Sequence, residues 1–140
     1  MGGADPLPDA LAPNRRALHT RPIDAQFASL DALPGFELAR GATAKALFGE
    51  NAMLNLVELE PGAVVARHSH PHEQLGMMLR GSMTIEVDGV SHTLGEMDVY
   101  ALPGGVEHEG VAGPEGALVL DVFQPVREDY RSKLTAARQS

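Results

Sequence analysis

The chain has no cysteine and no tryptophan, and its aromatics stop at four Phe and two Tyr in 140 residues. The missing cysteine excludes disulfides, thiolate metal ligands and a cysteine nucleophile, and it fits a reducing compartment. The missing aromatics leave the core to Leu, Val, Met and Ala. Positive charge is also short: 11 Lys and Arg face 19 Asp and Glu, for a net charge of −8, and there is no basic cluster beyond Arg15-Arg16. Neutralising phosphates needs concentrated Lys and Arg, so no nucleic-acid partner is expected. An anionic small molecule would have to be met by a local cation, because the overall field repels it. No apolar run reaches the roughly 18 residues of a membrane span. The opening MGGADPLPDALAPNRR carries no apolar stretch of the signal-peptide kind. The expectation is a cytoplasmic protein with no membrane partner.

What is present suffices for one ordinary domain: 44% hydrophobic and 21% charged residues. Residues 1–40 read as an N-terminal arm, interrupted by Pro6, Pro8, Pro13, Pro22 and Pro34. It is either a loose tail or a segment laid across a neighbouring subunit. From residue 41 to 126 the text changes to short apolar runs separated by Gly and Pro. Met53–Glu60 ends in alternation and stops at Pro61-Gly62. Val64–His70, Leu75–Leu79, Met83–Val87, Val90–Leu94, Asp98–Leu102, Glu107–Val111 and Leu118–Phe123 follow. Asp88-Gly89 between two of these runs is a strong two-residue hairpin signal, because both central positions of such a turn need positive φ. Many short strands at spacings of about ten residues predict an all-β sandwich or barrel. Residues 127–140 read as a C-terminal helix or tail, with Tyr130, Leu134 and Ala137 on one side.

Half of the six histidines sit in His68-Ser69-His70-Pro71-His72-Glu73-Gln74. On a strand, alternate residues share a face, so His68 and His70 point the same way. Gln74 arrives from beyond Pro71, and His108 from a distant strand after Pro103-Gly104-Gly105. Two imidazoles, one carbonyl oxygen and a third imidazole suit a divalent transition ion such as Zn, Ni, Fe, Mn or Co, whose identity this donor set does not select. The four ligands carry no charge, so the ion keeps its Lewis acidity. The opposing reading is a solvated, His-rich loop. His72 is displaced by Pro71 and is expected beside the site or exposed. Glu73 has the wrong parity for a ligand. His19 and His92 read as ordinary surface histidines.

These two segments resemble the cupin superfamily. Gly62, His68, His70 and Gly81 fall on its first motif, with Gln74 where most members have Glu. Pro103, Gly105 and His108 fall on the second, while Gly95 stands two residues too far ahead. The resemblance covers about residues 45–125. It implies a small double-stranded β-helix, or jelly-roll, barrel with the metal in one mouth. The string His68-Ser69-His70-Pro71-His72-x-Gln74 is similar to the pectin-degradation cupins that linearise 4,5-unsaturated uronates, as is Asp121-Val122-Phe123-x-Pro125-x-Arg127-Glu128-Asp129-Tyr130. That resemblance implies an enzyme acting on an anionic sugar, with metal ligands His68, His70, Gln74 and His108. It places Asp121, Phe123 and Arg127 on the substrate side.

In that reading Asp121 shuttles a proton, Arg127 grips the carboxylate with two hydrogen bonds, and Phe123 packs on the sugar ring. Each has a plainer alternative. Asp121 pairs with Arg127 or a strand-end amide, Phe123 is core, and Arg127 faces solvent. Met77, Met78 and Met83 either shape the pocket or fill the core. Rival functions are a polyketide cyclase, an iron dioxygenase or a non-catalytic sugar-sensing module. A homodimer is expected, since an extended arm and a jelly-roll edge both invite pairing.

Overall fold

Alternating apolar residues bury one face only if the strands close on one another, and that is what the sheet does. The computed structural model describes residues 24–139. After a 3-10 turn at Leu30–Ala32 the elements are β1 (Gly35–Ala39), β2 (Ala42–Phe48), β3 (Met53–Leu59), β4 (Val64–His68), β5 (Glu73–Val87), β6 (Val90–Leu94), β7 (Val99–Leu102), β8 (His108–Gln124) and α1 (Glu128–Gln139).

All pairings are antiparallel, in the order β1-β2-β3-β8-β5-β6, with β4 also on β8 and β7 on β5. The long β5–β8 ribbon is the spine. Its first half carries β7 against Gln74–Met77 and β3 against Ala117–Phe123. Its second half carries β6 against Met83–Val87 and β4 against His108–Val111. Register shifts at Met78/Arg80 and Gly81/Met83 bend the ribbon between its halves. The result is a jelly-roll barrel, as the alternation predicts. Inward residues of β3 (Met53, Val57, Leu59) meet Met78, Val119 and Phe123 in the core. The helix closes one side, burying Tyr130 and Leu134, with the Tyr130 ring edge-on to Phe36 at 5.5 Å.

Three boundaries differ from the expectation. The runs at 75–79 and 83–87 belong to one strand, because Gly81, at φ 74°, supplies a bulge and not an end. The runs at 107–111 and 118–123 likewise lie on one strand, β8, and Gly113-Pro114-Glu115-Gly116 stays within it. Val64–His70 stops being strand at His68. Two strands were not foreseen. β2 opens the sheet after Gly41, and β1 lies inside the stretch read as an arm. Residues 1–23 of that arm, with Arg15, Arg16 and His19, lie outside the described residues. Among the described residues no helix is long and apolar enough to cross a membrane.

Gly81 carries a double constraint: its φ is left-handed, and a Cβ there would strike the backbone carbonyl of Gly116 on the neighbouring strand. Gly81→Ala is therefore expected to lower the unfolding free energy by about 1–3 kcal/mol. A urea titration monitored by circular dichroism measures it, and an unchanged midpoint would contradict the bulge's role.

Candidate metal centre

The two histidine segments meet because β4 and β8 pair. His68 on β4 lies directly across from His108 on β8. Beyond His68 the chain leaves the ladder, and the Pro103-Gly104-Gly105 turn docks on it. Gly105 donates its N–H to the His70 carbonyl at 2.8 Å, and a Cβ on Gly104 would collide with the Pro71 carbonyl. Glycine at 104 is thus what lets the second motif press against the first.

The imidazoles then cluster. Ring centroids stand 4.4 Å apart for His68 and His108, 5.1 Å for His70 and His108, and 5.5 Å for His68 and His70. One ligand atom from each of the three lies within 4.8 Å of the others. Each ring has its Nδ1 on a backbone carbonyl: His68 on Ala66 at 2.8 Å, His108 on Val106 at 3.0 Å and His70 on His72 at 3.1 Å. A carbonyl only accepts, so each Nδ1 carries the proton and each Nε2 presents a lone pair. Burial, with help from the Arg127 charge and the neighbouring histidines, lowers the His70 pKa to about 4. Burial also lowers that of His108. Both rings are neutral near pH 7.

Gln74 completes the set. Its strand position pairs with Phe123 on β8 and Leu102 on β7. Its Oε1 stands 3.1 Å from His70 Nε2. Tyr100 fixes which end of the amide faces in. The Tyr100 hydroxyl donates to Asp121 Oδ1, so the Gln74 amide nitrogen donates to Tyr100 Oη at 3.5 Å, and Oε1 is left facing the imidazoles. Two acceptors, His70 Nε2 and Gln74 Oε1, therefore face each other with no proton between them. A divalent cation resolves that contact, so the four side chains fit one. Of the alternatives, Glu73 is exposed and His92 lies exposed on β6. The His72 ring is half-buried against Phe123, and its carbonyl orients His70.

The substrate-side candidates line the same cavity. Asp121 is buried and makes no hydrogen bond to Arg127, so the simple ion pair does not form; its partner is Tyr100. Burial raises the Asp121 pKa to about 6, against the opposing pull of Tyr100, Gln74 and Arg127. Phe123 is both core and cavity wall, edge-on to His70 at 5.5 Å. Arg127 does not face solvent. It is buried over the Tyr130 ring at 3.9 Å and near Phe123 at 5.0 Å. Its Nε and Nη2 hold Asp129 at 3.2 and 2.7 Å, and its buried Nη1 has no partner among the described residues. The side-on edge of the fork is thus already taken by Asp129. Met83 lines the cavity, while Met78 is fully buried core. Arg67 points away, to Glu86 at 2.6 Å.

Two polar residues of the lining, Tyr100 and Asn55, were not picked out from the sequence, and Tyr130, read there on the helix's apolar side, also lines it. Tyr100 had a signal in Gly76, which pairs with both Tyr100 and Asp121 and whose missing side chain leaves room for the phenol to cross.

Residues 55–123 match the family model described as a cupin domain. The chain contains a cupin domain. It is 28% identical over 102 residues to the pectin degradation protein KdgF of Dickeya dadantii, covering 71% of this chain and 93% of that protein. The solved structure of KdgF from Halomonas sp. superposes with a TM-score of 0.71 at 27% identity, over 76% of this cupin and 99% of that chain. A shorter match, 36% over 64 residues, is to the dimethylsulfoniopropionate lyase DddW of Ruegeria pomeroyi. It covers 46% of this cupin and 42% of that protein.

Purified wild-type protein is expected to hold close to one divalent ion per chain by elemental analysis, and added metal should raise its thermal midpoint. His108→Ala and Gln74→Leu should each weaken that binding by about 10-fold or more. Equal metal content in wild type and His108→Ala would count against the site.

Proposed function

We propose that this cupin is a metal-dependent enzyme that opens the ring of 4,5-unsaturated uronate monomers to the 4-deoxy-5-keto form. The observation that carries the reading is one cavity lined by His68, Gln74 and His108, with His70 clustered against them, by the buried carboxyl of Asp121 and by Arg127, whose Nη1 has no partner among the described residues. The likeness to KdgF of Dickeya dadantii, named a pectin degradation protein, and to the KdgF structure from Halomonas sp. supports the substrate class.

His68, His70, Gln74 and His108 would hold a divalent ion, which when bound would supply Lewis acidity in a buried setting where charge stabilisation counts most. The chain's own groups do the rest. Arg127 receives the substrate carboxylate on Nη1, while Asp129 and Tyr130 hold the guanidinium in place. It is the local cation that an acidic protein needs to capture an anion. Phe123 covers the ring face and excludes water.

Asp121, oriented by Tyr100, takes the proton of the C1 hydroxyl. The C1–O5 bond breaks, C1 becomes an aldehyde, and the electron pair leaves on O5 as an enolate. Asp121 returns the proton to C4, and C5 becomes a ketone. Nothing is oxidised or reduced. Burial raises the affinity of the Asp121 carboxyl for a proton, which suits a group that must first accept one and then give it back. Tyr100 stays protonated, since burial and the Asp121 charge push its pKa far up, so it keeps donating throughout.

A second reading follows from the DddW match: proton abstraction beside a carboxylate followed by elimination, on a small zwitterion. The same carboxyl, cation and cluster would serve. The substrate separates the two.

Ring opening destroys the conjugated enol ether, so loss of its near-ultraviolet absorbance reports turnover. Wild type should outpace the spontaneous rate. Asp121→Asn should lower kcat about 10²–10⁴-fold while substrate binding stays within a few-fold of wild type. Acceleration equal to wild type in Asp121→Asn would remove the proton-shuttle role. No acceleration by wild type, with release of dimethyl sulfide from dimethylsulfoniopropionate, would favour the elimination. Arg127→Lys should raise KM about tenfold or more, because a single ammonium replaces neither the Asp129 clamp nor the stacked fork.

A further inference from the structure

Asn55 has no role in the reaction described above, yet it is among the most deeply buried side chains, at 1% exposure. It sits in the middle of β3, on the inward row that otherwise reads Met53, Val57 and Leu59. Neither its carbonyl oxygen nor its amide nitrogen has a hydrogen-bond partner among the described residues. Leaving both ends of a buried amide unpaired is unfavourable, and a leucine of similar volume would avoid it. The side chain lines the same cavity as Gln74, Tyr100, Asp121 and Arg127, and its strand position pairs directly with Asp121. A polar group kept there against its folding cost is one held ready for a ligand.

We infer that Asn55 binds the vicinal C2 and C3 hydroxyls of the sugar acid, donating its N–H to one and accepting from the other, and so reads their relative configuration. The inference rests on the uronate reading of this site. An amide presents a donor and an acceptor side by side, which is the pattern that two neighbouring hydroxyls complement. Asp121 works on the C1 hydroxyl, so the next carbons of the ring fall beside its cross-strand neighbour. Formation of the 4,5 double bond erases the stereochemistry at C4 and C5. The C2–C3 diol is then the stereochemical record left outside the anomeric carbon. It is trans in products derived from galacturonate and cis in those derived from mannuronate or guluronate. A hydrogen-bonding site discriminates strongly between such partners because a mispositioned hydroxyl leaves its buried groups unpaired.

The test compares wild type and Asn55→Leu on trans-diol and cis-diol unsaturated uronates, with unfolding midpoints measured alongside. Wild type should prefer one diol by about tenfold or more in kcat/KM. Asn55→Leu should raise KM for the preferred substrate by a similar factor and bring the ratio close to one. Its thermal midpoint without substrate should stay at or above that of wild type. An unchanged KM and ratio, or no discrimination by wild type, overturns the inference. So does a lowered midpoint with the ratio intact, which is the mark of a merely structural asparagine. Should Asn55→Leu fail to fold, Asn55→Ala carries the same comparison. If wild type turns over neither uronate, the ring-opening reading fails first. Calorimetric titration of wild type and variant with galacturonate and mannuronate then decides on Asn55 alone, and equal binding by both proteins overturns it.

Discussion

The site depends on three imidazoles that turn their Nε2 atoms, and not their Nδ1 atoms, toward one another. Here the backbone enforces that. The carbonyls of Ala66, His72 and Val106 each take an Nδ1 proton, which leaves three Nε2 lone pairs converging. Burial then opposes ionisation of His70 and His108. Lone pairs pointed at one another repel, and so does the nearby Gln74 oxygen. The cluster is stable as built because strand pairing holds it: His68 and His108 share a rung of the β4–β8 ladder, and the Gly104 turn is wedged on Pro71. The barrel provides the rigidity, and the uncharged donors provide a preference for a divalent cation.

The cluster and the proposed proton-transfer carboxyl are not separate devices. A single hydrogen-bonded chain runs from Asp121 through Tyr100 to Gln74, whose oxygen then faces His70. The chain crosses β8, β7 and β5, and it crosses them at Gly76, where a side chain would exclude the Tyr100 ring. Reorienting Asp121 would release Tyr100, and with it the amide that the site needs oxygen-inward. A second chain runs on the other wall: Asp129 and Tyr130, both at the start of α1, hold Arg127 over Phe123. The helix therefore contributes more than a cover. It brings the residues that fix the cation.

The cavity also carries polar atoms that the fold leaves unpaired. Both ends of the Asn55 amide and Arg127 Nη1 are buried without protein partners among the described residues. In a chain with few aromatics and a core of Met, Val, Leu and Ala, each is a cost to stability that a bound polar ligand would offset. Arg127 gives the site local positive charge inside a protein whose net charge is −8.

The amino-acid order alone determined what depends on neighbours along the chain. Period-two alternation marked the strands, Asp88-Gly89 marked the β5–β6 hairpin, and strand parity put His68 and His70 on one face. These features are local because strand parity and turn conformation are set within a few residues. What depended on contacts across the barrel was decided only in three dimensions. Gly81 and Gly113 look like strand ends in sequence, but β5 and β8 pair through them, because a bulge is defined by the partner strand. Tyr100 and Asn55 read as ordinary strand residues until the ladders set them beside Asp121. The surroundings of Arg127, buried between two rings and clamped by Asp129, follow from where α1 docks. A side chain's type is written in the chain, but its partners, and so its protonation and its use, are chosen by packing.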